Sequence, residues 1–175
     1  MSRSIGLVLL TRFPLRNGSD VLVTVIKRRP QHSGIDMVPA PYPGVYELPV
    51  RGEILEDDGK PQGDPVYNAL IRESKGQLGE YFTKMCMRGV PLTQMVDTAE
   101  EFVYSAMIPH EYLDKIDMGP YMALELVTAV QINSPDVTEA NNEHLRSVGP
   151  VYCRTIAVLP ADLRSLRRAC EITQP

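Results

Sequence analysis

The segment DPVYNALIRESKGQLG, residues Asp64 to Gly79, constrains this chain more than any other part of it. It describes one helix with both ends marked. Asp64 is a good N-cap, and Pro65 suits the first helical position, where a missing N–H costs no intrahelical bond. Gly79 falls just past the C-terminus, where a left-handed residue is wanted. Arg72 and Glu73 stand in the middle, and Glu73, Gly76 and Gln77, at i, i+3 and i+4, share one face.

This segment resembles the Nudix box, G-x5-E-x7-R-E-U-x-E-E-x-G-U with U aliphatic, of hydrolases that cleave a diphosphate linked to another moiety. Aligned on Arg72-Glu73, Asp64 takes the place of the first box glutamate, and Ala69 and Gly79 fall where the family has an alanine and its closing glycine. Tyr46-Glu47-Leu48-Pro49 resembles the strand that runs into Pro-Gly-Gly. The departures fall on the chemistry. Gly76 and Gln77 replace the adjacent glutamates, Val50-Arg51 replaces Gly-Gly with a single Gly52 after it, and Glu53 to Gln62 reads as an insertion. In the family those glutamates, with the one matching Glu73, hold divalent metals. Magnesium wants hard oxygen ligands, carboxylates above all. Here the helix face offers one carboxylate, one amide oxygen and, at Gly76, no side chain. The box is degenerate.

Composition fits a water-soluble domain. The 175 residues suit a single Nudix-like domain over 1–175, and 43% apolar with 23% charged residues allow a sizeable core. A net charge of -4 gives no global pull toward nucleic acid or acidic membranes. The odd cysteines, Cys86, Cys153 and Cys170, show no C-x-x-C spacing and read as reduced thiols of a cytoplasmic protein. The apolar run Ile5 to Leu10 soon meets Arg12, Pro14 and Arg16 and does not read as a signal peptide. No segment approaches the roughly 20 apolar residues of a membrane span.

The order of elements predicts an α/β (α+β) fold, a Nudix-like mixed β-sheet sandwiched between helices. Ile5–Leu10 reads as a buried strand, Asn17-Gly18-Ser19-Asp20 as a turn, and Val21–Ile26 as a β-branched strand. Pro30 to Gly44 reads as loop, Val45 to Arg51 as a strand, and Asp58-Gly59 as a tight hairpin turn. Glu80 to Glu100 has no clear period. Glu101–Ile108 reads as a strand, His110 to Ile116 as a short helix, and Met122 to Ile132 as a further strand. Ser134 to Glu143 reads as loop, and Val151 to Val158 as a last strand. Pro160-Ala161-Asp162 opens an amphipathic helix with Leu163, Leu166, Ala169 and Cys170 on one face.

Candidate residues follow from the resemblance and from charge. Glu73 and Arg72 are the candidate catalytic residues, Glu73 as metal ligand or base and Arg72, as the resemblance implies, as the brace of the catalytic loop. Gln77, Asp57, Asp58 and Glu125 are candidates to complete a metal site. For Glu56-Asp57-Asp58 the alternative is a solvated turn. Lys27, Arg28 and Arg51 could bind a phosphorylated ligand, although a basic run also commonly ends a strand in solvent. His32, His110 and His144 have no metal-ligand spacing.

The resemblance then implies a small, nucleotide-like ligand, with different functions in competition. One is a Nudix-fold binding protein with weak or absent box-dependent hydrolysis, needing no cofactor. A second is an active pyrophosphohydrolase with recruited carboxylates and Mg2+ or Mn2+, and a third is an interaction domain that binds no nucleotide.

Overall fold

The apolar run at Ile5 becomes the spine of the molecule because both faces of its strand are buried. In the computed structural model, which describes residues 2–29, 32–33, 38–39, 44–60, 63–117, 123–140 and 156–173, this run lies in β1 (Ser4–Pro14). Ile5, Leu7 and Leu9 point to one face of the sheet, and Val8 and Leu10 to the other, as the period of two requires. The remaining strands are β2 (Asp20–Arg28), β3 (His32–Ser33), β4 (Val38–Pro39), β5 (Tyr46–Glu47), β6 (Val50–Glu53), β7 (Leu92–Asp97), β8 (Glu101–Met107), β9 (Ala123–Thr128), β10 (Val137–Glu139) and β11 (Ile156–Val158). The helices are α1 (Pro65–Leu78), α2 (Glu80–Met85), α3 (Ala129–Ile132) and α4 (Pro160–Thr173).

A nine-stranded mixed sheet runs β10-β11-β5-β2-β1-β8-β7, with β6 paired to β1 and β9 to β2. Helices cover both faces. On one, Ile5, Leu7, Leu9 and Val25 pack with Val66, Leu70 and Leu78 of α1 and Phe82 of α2. On the other, Val8, Leu10 and Ile26 pack with Ile132 of α3 and Leu163, Leu166 and Ala169 of α4. This is the expected mixed sheet between helices. The feature that positions the site is a split. β1 and β2 pair from Leu10↔Thr24 to Pro14↔Asp20 and then part, so that Ser4–Leu7 pair with β6 and Lys27–Arg28 with β5. The segment 46–53 crosses the gap.

Helix α1 has the ends expected of it. The Asp64 carboxylate accepts the Val66 N–H at 2.9 Å, and Gly79 adopts φ 92°. Elsewhere the elements differ from the expectation for identifiable reasons. Asp58-Gly59 lies in a 3-10 turn, Glu56–Gly59, in place of a hairpin, because the Asp58 carboxylate accepts the Leu55 N–H at 2.7 Å and closes it. The strand expected to reach Ile132 stops at Thr128, whose hydroxyl accepts the Gln131 N–H and caps α3. Glu80 to Glu100 contains α2 and β7, the first too short and the second too irregular at Gln94/Val96 to leave a period. β10 forms inside the expected 134–143 loop by pairing in parallel with β11. Most of the expected 30–44 loop, and the first half of the expected 151–158 strand, lie outside the described residues.

Candidate functional site

The box helix faces the split between β1 and β2, and Gln77 is the junction there. Its Oε1 accepts from the Lys27 ammonium at 2.7 Å and from the Arg51 N–H at 3.1 Å. Its Nε2 donates to the Arg51 carbonyl at 2.5 Å and to Glu73 Oε2 at 2.7 Å. Both donors and both acceptor positions of the amide are thereby used. Lys27 is 4% exposed and reaches Glu47 at 3.1 Å, and Arg29 meets the other oxygen of that carboxylate at 2.9 Å.

Glu73 is tied from both sides. Arg72 Nη1 donates to its Oε1, and Gln77 holds Oε2. Arg72 also clasps Asp58, with Nε to Oδ1 and Nη2 to Oδ2 each at 3.0 Å, and donates to the Glu53 carbonyl at 2.7 Å. The hydrogen bonds from Arg72, against the effect of burial and with help from the Leu55 N–H, hold the Asp58 carboxyl below the usual carboxylate range. Gly52 of β6 lies against Glu73, and an ideal Cβ there would stand 2.2 Å from Glu73 Cδ.

Arg51 has its backbone on the box helix and its side chain on the opposite layer. Its guanidinium grips Asp162 of α4 through Nε at 2.8 Å and through Nη2, and reaches Glu101 at 2.7 Å through Nη1. Asp162, 1% exposed, also accepts the Leu48 N–H at 2.8 Å. Burial works against the Arg51 charge, but Asp162 and Glu101 outweigh it and hold its pKa above the ordinary arginine value. Next to Glu101, a cavity of about 280 Å³ opens between α4 and the β7–β8 edge, lined by Val96, Glu101, Ala161, Arg164, Ser165 and Arg168.

The structure brings Lys27, Arg51, Glu73 and Gln77 together, with Arg72 and Asp58 beside them. It does not bring Glu125 there. Glu125 pairs across the ladder with Ile26, whose side chain packs toward α4, whereas Lys27 points toward α1. The sheet stands between Glu125 and Glu73. Glu125 instead accepts the Tyr46 hydroxyl, and burial, then this bond and the Glu125 charge, push the phenol up to about 12 against the opposing charge of Arg28. Asp57 is on the surface with Lys60 at 3.0 Å. Asp58 approaches Glu73 only through Arg72, which stands between the two carboxylates.

Glu47, Glu101 and Asp162 are absent from the candidates that the sequence suggests. Two signals point to them. Lys27 is in phase with Val23 and Val25 on a buried face, which demands an acid opposite. Asp162 shares the apolar helical face of Leu166 and Ala169, four and seven residues on, which demands a buried cation.

These residues do not fit a divalent metal. Mg2+ and Mn2+ need carboxylate oxygens clear of competing cations, and here Arg72 and Gln77 hold Glu73 while Lys27 and Arg29 hold Glu47. Among the described residues no cluster of three or more His, Cys, Asp or Glu is arranged to hold a metal. Thiol chemistry is no substitute, because burial raises the Cys86 thiol and pushes Cys170 up to about 11. His110 stacks edge-on against Phe13 and pairs with Glu111.

The architecture is that of the Nudix fold. The chain is similar to a mutT/nudix family protein from Listeria innocua, with TM-score 0.61 and 14% identity over 98% of this chain and 92% of that one. Looser likenesses are to a Nudix hydrolase from M. smegmatis, RenU, with TM-score 0.48 and 15% identity over 98% and 85%. MutT from Aliivibrio salmonicida and Vibrio cholerae gives TM-score 0.41 and 13% identity over 84% and 95%. No family model matches the chain, and no curated protein matches it in sequence. Among the described residues no helix is long and apolar enough to cross a membrane.

Proposed function

We propose that this chain is a single-domain, cytoplasmic Nudix-fold protein that binds a nucleoside-diphosphate-linked small molecule without hydrolysing it through the box helix. The observation that carries the reading is the state of Glu73. Its two carboxylate oxygens already accept from Arg72 and Gln77, and the neighbouring helix positions supply a glycine and an amide. Metal-activated attack by water needs a bound divalent cation, and so carboxylates whose negative charge is left free to hold it. Here the protein's own cations neutralise the carboxylates.

The fold and the cations near open space support this ligand class. Lys27 and Arg51 are committed to Glu47, Asp162 and Glu101. Arg164 and Arg168, one helical turn apart on the wall of the open hollow beside Glu101, supply charge for a diphosphate, Arg168 from an exposed pair with Glu171 at 3.8 Å.

The test is a panel of nucleoside-diphosphate-linked compounds with Mg2+ or Mn2+, run beside Glu73→Gln and followed by turnover and melting temperature. We expect no Glu73-dependent turnover. We also expect that at least one compound raises the melting temperature, since a ligand bound to the folded state alone must stabilise it, and that Arg164→Ala/Arg168→Ala weakens this shift. Turnover that disappears in Glu73→Gln would establish an active hydrolase in place of this reading.

A further inference from the structure

We infer that the buried Lys27 ammonium is a built-in counter-ion that stands at the box face in place of a divalent cation and keeps metal out. The inference rests on the proposed loss of box-dependent hydrolysis and adds the cause. Lys27 Nζ is 2.7 Å from Gln77 Oε1, and the amide of that same side chain is 2.7 Å from Glu73 Oε2. A positive charge therefore stands one side chain away from the helix carboxylate. Lys27 is also paired with Glu47, but it shares that carboxylate with Arg29, and one carboxylate does not neutralise two cations. At 4% exposure little water screens the remaining charge, which acts strongly in a protein interior.

The residues at the two replaced positions agree with this account. Gln77 must donate to Glu73 and to the Arg51 carbonyl while it accepts from Lys27 and from the Arg51 N–H. A glutamate there could accept but could not donate, and would set its oxygens against two other acceptors. Gly76 is not held by crowding, because a Cβ at this position would meet no atom within 4 Å. A carboxylate is sterically free to stand there. Beyond the two missing carboxylates, charge balance separates this face from a metal site: Lys27 and Arg29 surround Glu47, and Arg72 covers Glu73.

The experiment restores carboxylates with and without Lys27 and follows Mn2+ by electron paramagnetic resonance, with melting temperature in Mg2+ as a second readout. Gly76→Glu/Gln77→Glu is compared with the same pair carrying Lys27→Met. Wild type is expected to take up no Mn2+ saturably. The triple variant is expected to bind it about tenfold or more tightly than the double, the effect of a change of about 1.4 kcal/mol, and to gain melting temperature in Mg2+.

Gly76→Glu against Gly76→Glu/Lys27→Gln repeats the comparison with Gln77 in place, should the larger set fail to fold, and the same direction of difference is expected. Equal affinity with and without Lys27 overturns the inference, as does saturable Mn2+ binding by wild type that Glu73→Gln abolishes. Mn2+ binding by wild type with no turnover would sink the inference and leave the proposed function standing. Glu73-dependent turnover would remove the proposed function itself.

Discussion

At Gly52 the backbone of β6 passes so close to the box helix that a methyl group would overlap Glu73, with 2.2 Å to Cδ and 2.6 Å to Oε1. The glycine is needed here for close approach, since Glu73 folds back over the strand to meet Arg72 and Gln77. Gly52→Ala must displace Glu73 from at least one of these partners. We expect a loss of about 1–3 kcal/mol, the usual cost of overpacking, read from urea melts of the variant and wild type. A change within about 0.5 kcal/mol, the range of an ordinary surface substitution, would mean that Glu73 moves aside freely and is not held as described.

Helix α1 and the 3-10 turn before it are joined by the Arg72–Asp58 charge pair and by the Asn68 amide, which donates to the Asp58 carbonyl at 2.8 Å. Asp58 joins the Leu55 N–H within the turn to the Arg72 guanidinium on the helix. Because its pKa is depressed in the folded state, chiefly by the bonds from Arg72, its contribution to stability is complete above the unfolded carboxyl value. It is lost as pH falls through the folded value. Acid should therefore loosen this corner. Asp58→Asn is expected to be less stable than wild type at neutral pH and to show a shallower fall in stability between neutral and acid pH, measured by urea melts across the range. Parallel pH curves for the two proteins would mean that Asp58 is not linked to folding in this way.

Across the whole molecule, Arg51 ties the two helical layers together through the split sheet. Its backbone is bonded to Gln77 of α1, and its side chain to Asp162 of α4 and Glu101 of β8. Arg51→Ala would leave the buried Asp162 carboxylate with the Leu48 N–H and no cation. Removing one partner of a buried pair costs about 3–5 kcal/mol, and denaturant melts of Arg51→Ala should show a loss in that range. Arg51→Met/Asp162→Leu should recover part of it, because the buried Asp162 charge goes with its partner and only the more exposed Glu101 is left without Arg51. If the double variant were no more stable than the single one, the packing of Arg51 rather than its charge would be what matters.

The sequence by itself determined the elements whose signals are local. Asp64, Pro65 and Gly79 marked α1, the run from Ile5 marked a buried strand, and Leu163, Leu166, Ala169 and Cys170 marked the buried stripe of α4. The absence of a side chain at Gly76 was equally visible, because it needs no fold to be noticed. The partners of each charge were decided by the tertiary structure. Lys27 meets Gln77, Arg51 meets Asp162, and Glu125 turns to Tyr46 because strand pairing and the split between β1 and β2 set which face and which neighbour each side chain has. A shift of one residue in the register of β2 would turn Lys27 to the other face. Capping and periodicity act within a few residues of chain, whereas Arg51 pairs with Glu101 and Asp162, 50 and 111 residues away in the chain.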